Sequence, residues 1–512
     1  MPAVSLVWFK RDLRVCDAAP LVGAAQIGPV LPLYCIEPDY WQQPYTSPRQ
    51  WHWIRDAVAE LDTELTALGQ PLWVEQGEVV AVFESLWQRY RVTHLWSHAE
   101  TGPDWTYARD RRVADWCDAR GVQWTECRQD GVIRGLRQRT HWAAHWERVM
   151  RAPQVTVPRL DGVGQPPCAA RQILAQVKPT GSADASPLQP SGRQAGLALL
   201  RSFLQTRAAT YRRGMSSPLT AQTVCSRLSP HLAYGTLSLK EVFQAADARR
   251  TDLEATRDRS GLRSGLSSFT SRLHWHCHFM QKLETEPRIE FEPMHRGFLG
   301  FQDMTPETEG RLARFSEGQL GWPFVDACLR ALAQTGWLNF RMRAMLAAIA
   351  AYHLAIDWRA TAQVMARWFT DFEAGIHFSQ MQMQSGLTGI NVNRIYNPIK
   401  QSMDQDPDGV FIREFVPELA PVPTDWIHAP WRMPMSLQRS LGVRIGQTYP
   451  TPVGDPVQMA REAKQRLSEW IATHAMTEER DRILKTHASK MRQPRPRYAK
   501  TAPRSQLSLE WE

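Results

Sequence analysis

The 512-residue sequence lacks the features that define several large protein classes. It has no apolar run of the ~18 residues that a membrane-spanning helix needs, and no basic segment precedes an apolar one at its N-terminus. None of its eight cysteines forms a CxxC pair, so neither a zinc site nor a disulfide framework is indicated. No GxGxxG follows the first apolar run, and GxxxxGK[ST] does not occur. We therefore expect a reduced, cytoplasmic protein with no membrane partner and no metal.

Positive charge and tryptophan are both in excess. The 61 basic and 52 acidic side chains give a net charge of +9, which favours a polyanion such as nucleic acid, although a solvated basic surface explains it equally well. The 21 tryptophans outnumber both Phe and Tyr. Because none lies in residues 151–274, the sequence indicates separate modules, with tryptophan used for packing, ring stacking or electron transfer.

The hydrophobic pattern predicts two domains of different class. Apolar runs at 4–9, 30–36, 71–76, 93–99 and 122–127 alternate with amphipathic stretches, which predicts an α/β domain with a doubly wound parallel sheet over residues 1–135. A linker rich in Pro, Gly and Ser is expected over 136–195. Helical periodicity then predicts an all-α domain over 196–484. A basic tail over 485–512, rich in Lys and Arg, completes the expected organisation.

Three polar segments stand out in the helical part. Cys225–Pro230 places small hydroxyls before a helix, which suits either a phosphate or an ordinary helix N-cap. Gly336–Arg343 opens an apolar helix with two arginines, which either reach solvent or bind anions. Asp371–His377 combines two carboxylates and a histidine, but their spacing is loose for a metal triad. Carboxylates that face an arginine and the polar edge of a ring cofactor fit this segment better.

Several longer motifs resemble those of the DNA photolyase and cryptochrome family. They are VWFKRDLR (7–14), SRLSPHLAYGTLS (226–238), GWPFVDACLRALAQTGWLNFRMR (321–343), IDW (356–358), RIYNPIKQ (394–401) and DPDGVFIREFVPEL (406–419). The resemblance implies an α/β antenna domain and a helical FAD-binding domain, in a monomer that binds damaged DNA. It also implies a possible second antenna chromophore of folate or deazaflavin type. In photolyases, light-excited reduced FAD gives an electron to a pyrimidine dimer, which splits; cryptochromes use the same cofactor for signalling.

The resemblance also implies roles for individual residues. Those expected to bind FAD are Tyr211, Cys225, Ser226, Arg227, Leu228, Ser229, Arg343, Asp371, Glu373 and His377. Arg343 and Asp371 match an ion pair against the flavin ring. His377 stands where the family has Asn or Asp facing flavin N5, and a histidine there could exchange a proton near neutral pH. We expect Trp358, His377 and Arg343 to be the catalytic residues.

The expected electron route departs from the family pattern. Trp358 keeps the middle position of the usual three-tryptophan chain, but Met381 stands at the flavin-proximal position and Thr305 near the exposed one. Met is a poor carrier of an electron hole beside Trp. Photoreduction is therefore expected either to be slow or to use another tryptophan, such as Trp337, Trp322 or Trp368.

The expected lesion-binding surface departs as well. It comprises Arg272, Trp275, Arg341 and Met383, and Arg272 replaces an acidic ligand of the dimer. Because Arg only donates hydrogen bonds, it cannot accept one from a thymine N3–H. We predict light-driven repair of pyrimidine dimers by a carbon–carbon lyase. A cryptochrome-like photoreceptor without repair activity is the alternative, and a nucleic-acid-binding flavoprotein that has lost light chemistry is a third hypothesis.

Overall fold

A five-stranded parallel sheet forms the N-terminal part of the protein. The computed structural model describes residues 3–177, 189–390 and 394–487. The strands are β1 (Val4–Phe9), β2 (Val30–Ile36), β3 (Trp73–Gln76), β4 (Val92–His98) and β5 (Gln123–Cys127). They lie in the order β3-β2-β1-β4-β5 and every pair is parallel. The predicted doubly wound sheet is confirmed, with each strand starting within two residues of the expected position.

Helices cover both faces of this sheet. They are α1 (Ala19–Ile27), α2 (Pro48–Leu68), α3 (Val79–Tyr90) and α4 (Asp104–Arg120). Every residue of β1 and β2 is buried, as expected for central parallel strands covered on both sides. On one face Phe9 packs in a cluster with Trp51 and Trp53 of α2. On the other, Trp8 meets the ring of Phe83 edge-on at 5.3 Å. Trp8, Trp51 and Trp53 thus serve packing in this domain.

The rest of the described chain is helical. The helices are α5 (Trp142–Arg151), α6 (Ala170–Gln176), α7 (Gly192–Gln205), α8 (Tyr211–Gly214), α9 (Pro218–Val224), α10 (Ser229–Ala233), α11 (Leu239–Ala255), α12 (Leu262–Thr285), α13 (Pro306–Glu317), α14 (Pro323–Thr335), α15 (Phe340–Ala348), α16 (Trp358–Trp368), α17 (Ala374–Gln384), α18 (Pro398–Gln405), α19 (Val410–Phe415), α20 (Thr424–Ile427), α21 (Met435–Ser440), α22 (Pro456–Thr473) and α23 (Thr477–His487). A π-helix, Ile349–His353, extends α15. The predicted α-class of this part is confirmed. Within the described ranges, no helix is long and apolar enough to cross a membrane.

The segment expected to be a linker, 136–195, contains α5, α6 and the start of α7. Trp142 and Trp146 of α5 are buried against the helical domain. The expected basic tail, 485–512, lies outside the described residues except for the last turn of α23. The proposed domain limits stay predictions.

The loop after β1 joins the two parts of the fold. Leu13 N donates to the carbonyl of Tyr234 at 3.1 Å, and Arg14 Nη1 donates to that of Gly235 at 3.0 Å. Gly235 has φ of +64°, and a Cβ there would lie 2.4 Å from the carbonyl oxygen of Arg11. The two motifs 7–14 and 226–238 therefore meet each other across the domain boundary.

Candidate functional site

The turn from Cys225 to Ser229 joins α9 to α10. Arg227 within it has φ of +63°, a left-handed conformation that is uncommon for a residue other than glycine. The guanidinium of Arg207 supports the turn by donating to the carbonyls of Cys225 and Ser226. Because peptide N–H groups point away from the preceding carbonyl, this contact turns the N–H groups of the segment toward the opposite side.

The same turn fits a phosphate. Among the described residues, the backbone N–H groups of Ser226 and Arg227 have no hydrogen-bond acceptor. Successive N–H groups next to a left-handed residue form an anion-binding concavity. The buried side chain of Leu228 anchors the turn to the apolar core of the helical domain. Burial raises the pKa of the Cys225 thiol to about 11, so it is neutral beside such an anion. The segment thus fits the phosphates of FAD.

Tyr211 lies next to this turn, on α8. Its ring is buried and meets Phe203 edge-on at 5.5 Å. Burial raises the pKa of Tyr211 to about 12, against the opposing effect of the nearby Arg272 guanidinium. Tyr211 is therefore a neutral hydrogen-bonding group at neutral pH, and Arg272 brings positive charge to the same place.

Arg343 and Asp371 form an ion pair at the centre of the site. Arg343 Nη1 and Nη2 donate to the two carboxylate oxygens of Asp371 at 3.1 and 2.8 Å, and Nε donates to the Leu338 carbonyl at 2.6 Å. The guanidinium also lies 4.1 Å from the ring centre of Phe369. Asp371 is 2 % exposed and Arg343 24 %. The two side chains that the family motifs pair are in contact, and three groups hold the arginine in one orientation: the Asp371 carboxylate, the Leu338 carbonyl and the Phe369 ring.

Glu373 precedes α17 and contacts a histidine that is not among the predicted site residues. Its Oε2 lies 2.8 Å from Nε2 of His276 on α12. Burial opposes a charge on the His276 ring, but the Glu373 carboxylate outweighs it and raises the pKa of His276 well above its ordinary value. The Glu373 carboxylate therefore favours the protonated form of the His276 ring.

His377 lies in the first turn of α17 and is enclosed by Phe369, Phe372 and Phe378. Its Nε2 donates to the carbonyl of Ala362 at 2.9 Å. Burial lowers the pKa of His377 to about 4. The ring is thus neutral at pH 7, and with Nε2 protonated, Nδ1 is the nitrogen left to accept a hydrogen bond. Proton exchange near neutral pH is not favoured by this environment.

The residues of the expected electron route lie in the core of the helical domain. Trp358 starts α16 and is 2 % exposed, and Met381 of α17 is 3 % exposed in the same apolar cluster. Thr305 caps α13 by accepting from Thr308 N. Trp322, a possible substitute, is equally buried and donates to the Gly454 carbonyl. Their roles in electron transfer stay predictions.

The four residues expected to meet DNA come from three helices. Arg272 Nη2 lies 3.7 Å from Met215 Sδ, and Trp275 stacks on Phe279 with ring centres 5.7 Å apart. Both side chains are half-buried, as is Met383, whereas Arg341 is exposed. Their roles in DNA binding stay predictions.

Two further residues position the site. Arg11, in the loop after β1, donates from Nε to the Ala233 carbonyl at 2.9 Å and from Nη2 to that of Phe372. Asn339 Nδ2 donates to the carbonyls of Met215 and Ser216 at 3.1 and 2.7 Å. The motifs that contain Arg11 and Asn339 were recognised in the sequence, but only the folded chain shows what these side chains hold together.

A polar cavity of about 230 Å³ lies between the two domains, at the carboxyl ends of β1, β4 and β5. Its lining includes Lys10, His98, Glu100, Asp130 and Glu373. This is the edge at which open α/β sheets bind ligands. The cavity therefore extends from the edge of the sheet to Glu373 of the helical site.

Two family models match the chain. Residues 5–136 match the model described as DNA photolyase, and residues 269–469 match the FAD binding domain of DNA photolyase. Together they cover both the sheet domain and the segments that carry Trp275, Arg343 and Asp371.

Relatives named photo-lyase and relatives named cryptochrome are both similar to this chain over most of its length. A deoxyribodipyrimidine photo-lyase of Vibrio cholerae is 29% identical over 452 residues, covering 84% of this chain and 93% of the relative. Cryptochrome-1 of Arabidopsis thaliana is 25% identical over 501 residues, covering 91% and 70%. The crystal structure of a bacterial class III photolyase from Agrobacterium tumefaciens matches with a TM-score of 0.79 and 25% identity over 92% of this chain and 98% of that one. An archaeal photolyase from Sulfolobus tokodaii with two FAD molecules shares the fold at a TM-score of 0.73 and 23% identity, over 91% of this chain and 100% of that one.

Proposed function

Because the chain belongs to the DNA photolyase and cryptochrome family, we propose that it is an FAD-dependent, blue-light-driven lyase that splits pyrimidine dimers in DNA. The observation that carries this proposal is the start of α15. There Arg341 is exposed, Met342 is buried, and Arg343 turns inward to Asp371. One helical turn thus joins a cationic outer surface to the proposed cofactor site.

The proposed cofactor supplies light absorption and one-electron transfer when bound. The chain's own residues hold it and set its charge. The Cys225–Ser229 turn offers N–H groups to its phosphates, and Arg343 offers a fixed positive charge beside its ring. His377 contributes a neutral imidazole rather than a cation.

Outside the cofactor, positive charge favours DNA. Arg341 is exposed and can contact a backbone phosphate, and Arg272 brings a second guanidinium beside Tyr211. Trp275 supplies an aromatic face on which an extruded base can stack. These features support a damaged-DNA partner.

The test is blue-light repair of defined lesions by the purified flavin-bearing protein. Oligonucleotides with a cyclobutane dimer or a (6-4) product are illuminated, and restored bases are measured against a dark control. We expect repair of the cyclobutane dimer. A protein that contains photoreducible FAD but repairs neither lesion contradicts the proposal.

A second candidate function is a cryptochrome-like photoreceptor. The observation that favours it is the environment of Arg272. This residue replaces the acidic residue that binds the lesion in the family, and it contacts Met215 and lies near Tyr211. Such a cation cannot accept a hydrogen bond from the dimer. Light-dependent partner binding or oligomerisation without repair would support this function.

The proposal includes a second, light-harvesting chromophore. The interdomain cavity supports it by position, although 230 Å³ is below the ~300–1,000 Å³ typical of small-molecule sites, so side chains must move to admit a folate or deazaflavin. Absorption spectra of the protein as purified test this part. Spectra explained by FAD alone, before and after addition of folate or deazaflavin, would contradict it.

A further inference from the structure

We propose that Asp130, His276 and Cys277 bind a divalent transition-metal ion of the Zn²⁺ type at the boundary of the two domains. Each residue offers one ligand atom, a carboxylate oxygen, an imidazole nitrogen and a thiol sulfur, and these atoms all lie within 4.8 Å of one another. Nothing in the sequence spacing indicates this site, because its ligands come from distant parts of the chain.

The fold brings the three ligands together from two domains. Asp130 lies in the loop after β5, where one carboxylate oxygen accepts from Val132 N at 2.8 Å. His276 and Cys277 are neighbours in α12, and Cys277 is fully buried. A metal held by all three would tie the sheet domain to α12.

The two ring nitrogens of His276 have different environments. Its Nε2 is paired with Glu373 at 2.8 Å, whereas its buried Nδ1 has the neighbouring Cys277 thiol as its one polar contact in the part of the chain that the structure describes. A buried imidazole nitrogen whose contact is only a thiol, a weak hydrogen-bonding group, destabilises the fold. A metal ion at Nδ1 removes that destabilisation.

Glu373 completes an arrangement typical of metal sites. Metal-ligating histidines usually donate their other N–H to a carboxylate, which fixes the tautomer and the ring orientation. Here Glu373 accepts from Nε2, so Nδ1 is the nitrogen free to bind a metal. A metal ion binds the thiolate of Cys277 and an unprotonated Nδ1 of His276, so binding releases protons and is favoured at higher pH.

The donor set selects the class of ion. Imidazole and thiolate ligands suit Zn²⁺ and Co²⁺ rather than Mg²⁺ or Ca²⁺. Bond lengths of about 2.0–2.3 Å place tetrahedral ligand atoms roughly 3.3–3.8 Å apart, so atoms that lie within 4.8 Å of one another need to close by no more than about 1.5 Å on binding. Asp130 and Glu373 also line the interdomain cavity, which gives the ion an entry path and an open fourth position for water.

Cobalt binding to the full-length, FAD-bearing protein tests this inference. The protein is treated with a chelator, dialysed and titrated with Co²⁺, whose tetrahedral thiolate complexes absorb at longer wavelengths than oxidised flavin. We expect one equivalent of Co²⁺ with sulfur ligation, displaced by Zn²⁺, and tighter binding as pH rises. A wild-type protein that takes up no Co²⁺ or Zn²⁺ overturns the proposal.

Matched variants separate the site from surface binding. Cys277→Ser and His276→Gln should abolish the cobalt spectrum, whereas Cys127→Ser, at another free cysteine at the end of β5, should retain it. Glu373→Gln should weaken metal affinity about 10–100-fold. Flavin content and thermal unfolding of each variant show whether it is folded. Cobalt spectra that survive Cys277→Ser, or that Cys127→Ser removes equally, contradict the assignment.

Discussion

Removal of the Arg343 guanidinium should release FAD from the protein. Asp371 is 2 % exposed and receives two of the hydrogen bonds that Arg343 donates. In Arg343→Ala this carboxylate stays buried without its partner, and the flavin ring loses a charged donor. Loss of a hydrogen bond to a charged group costs about 1.5–3 kcal/mol, which corresponds to roughly 10–150-fold weaker binding of FAD.

The assay is titration of the apoprotein with FAD, followed by quenching of flavin fluorescence. Arg343→Lys should fall between wild type and Arg343→Ala, since an ammonium keeps the charge but not the planar fork. Arg359→Ala is the matched control, because Arg359 pairs with Asp357 elsewhere in the same domain. FAD affinity within twofold of wild type in Arg343→Ala, or an equal loss in Arg359→Ala, would refute the reasoning.

Three further predictions concern α12 and the core. Burial, reinforced by the nearby Arg139, lowers the pKa of Lys282 from 10.5 to about 7. Between pH 7 and 10.5 the unfolded chain therefore binds more protons, and below pH 7 the buried charge of Lys282 destabilises the fold in full. Lys282→Met should thus stabilise the protein at pH 6 by up to about 5 kcal/mol, at 1.36 kcal/mol per pH unit, and much less at pH 10. Equal gains in Tm at pH 6 and pH 10 contradict this. Met381→Trp should speed photoreduction of FAD under blue light at a packing cost of about 1–3 kcal/mol, and an unchanged rate in a folded variant counts against a hole-transfer position there. Arg272→Glu should weaken binding to undamaged DNA and reduce its salt dependence, as measured by fluorescence anisotropy at several salt concentrations; an unchanged salt slope removes Arg272 from the DNA surface.

Local sequence determined the framework of the protein. Period-2 and buried apolar runs predicted five strands that start within two residues of those in the fold, because strand and helix patterning depends on neighbouring residues alone. The contact between Arg343 and Asp371 was anticipated from family motifs rather than from periodicity. The turn at Cys225–Ser229 was recognised in the same way.

The tertiary structure decided how side chains from distant segments meet. His377 turns its Nε2 to the carbonyl of Ala362, and burial then makes it neutral at pH 7. Arg11 donates to two segments of the helical domain. That contact depends on how the two domains pack, which no local sequence pattern encodes. The same holds for Asp130 beside His276 and Cys277. Sequence alone thus determined the elements and the residue types of the site, and packing between elements decided their charges, partners and ligand-binding capacity.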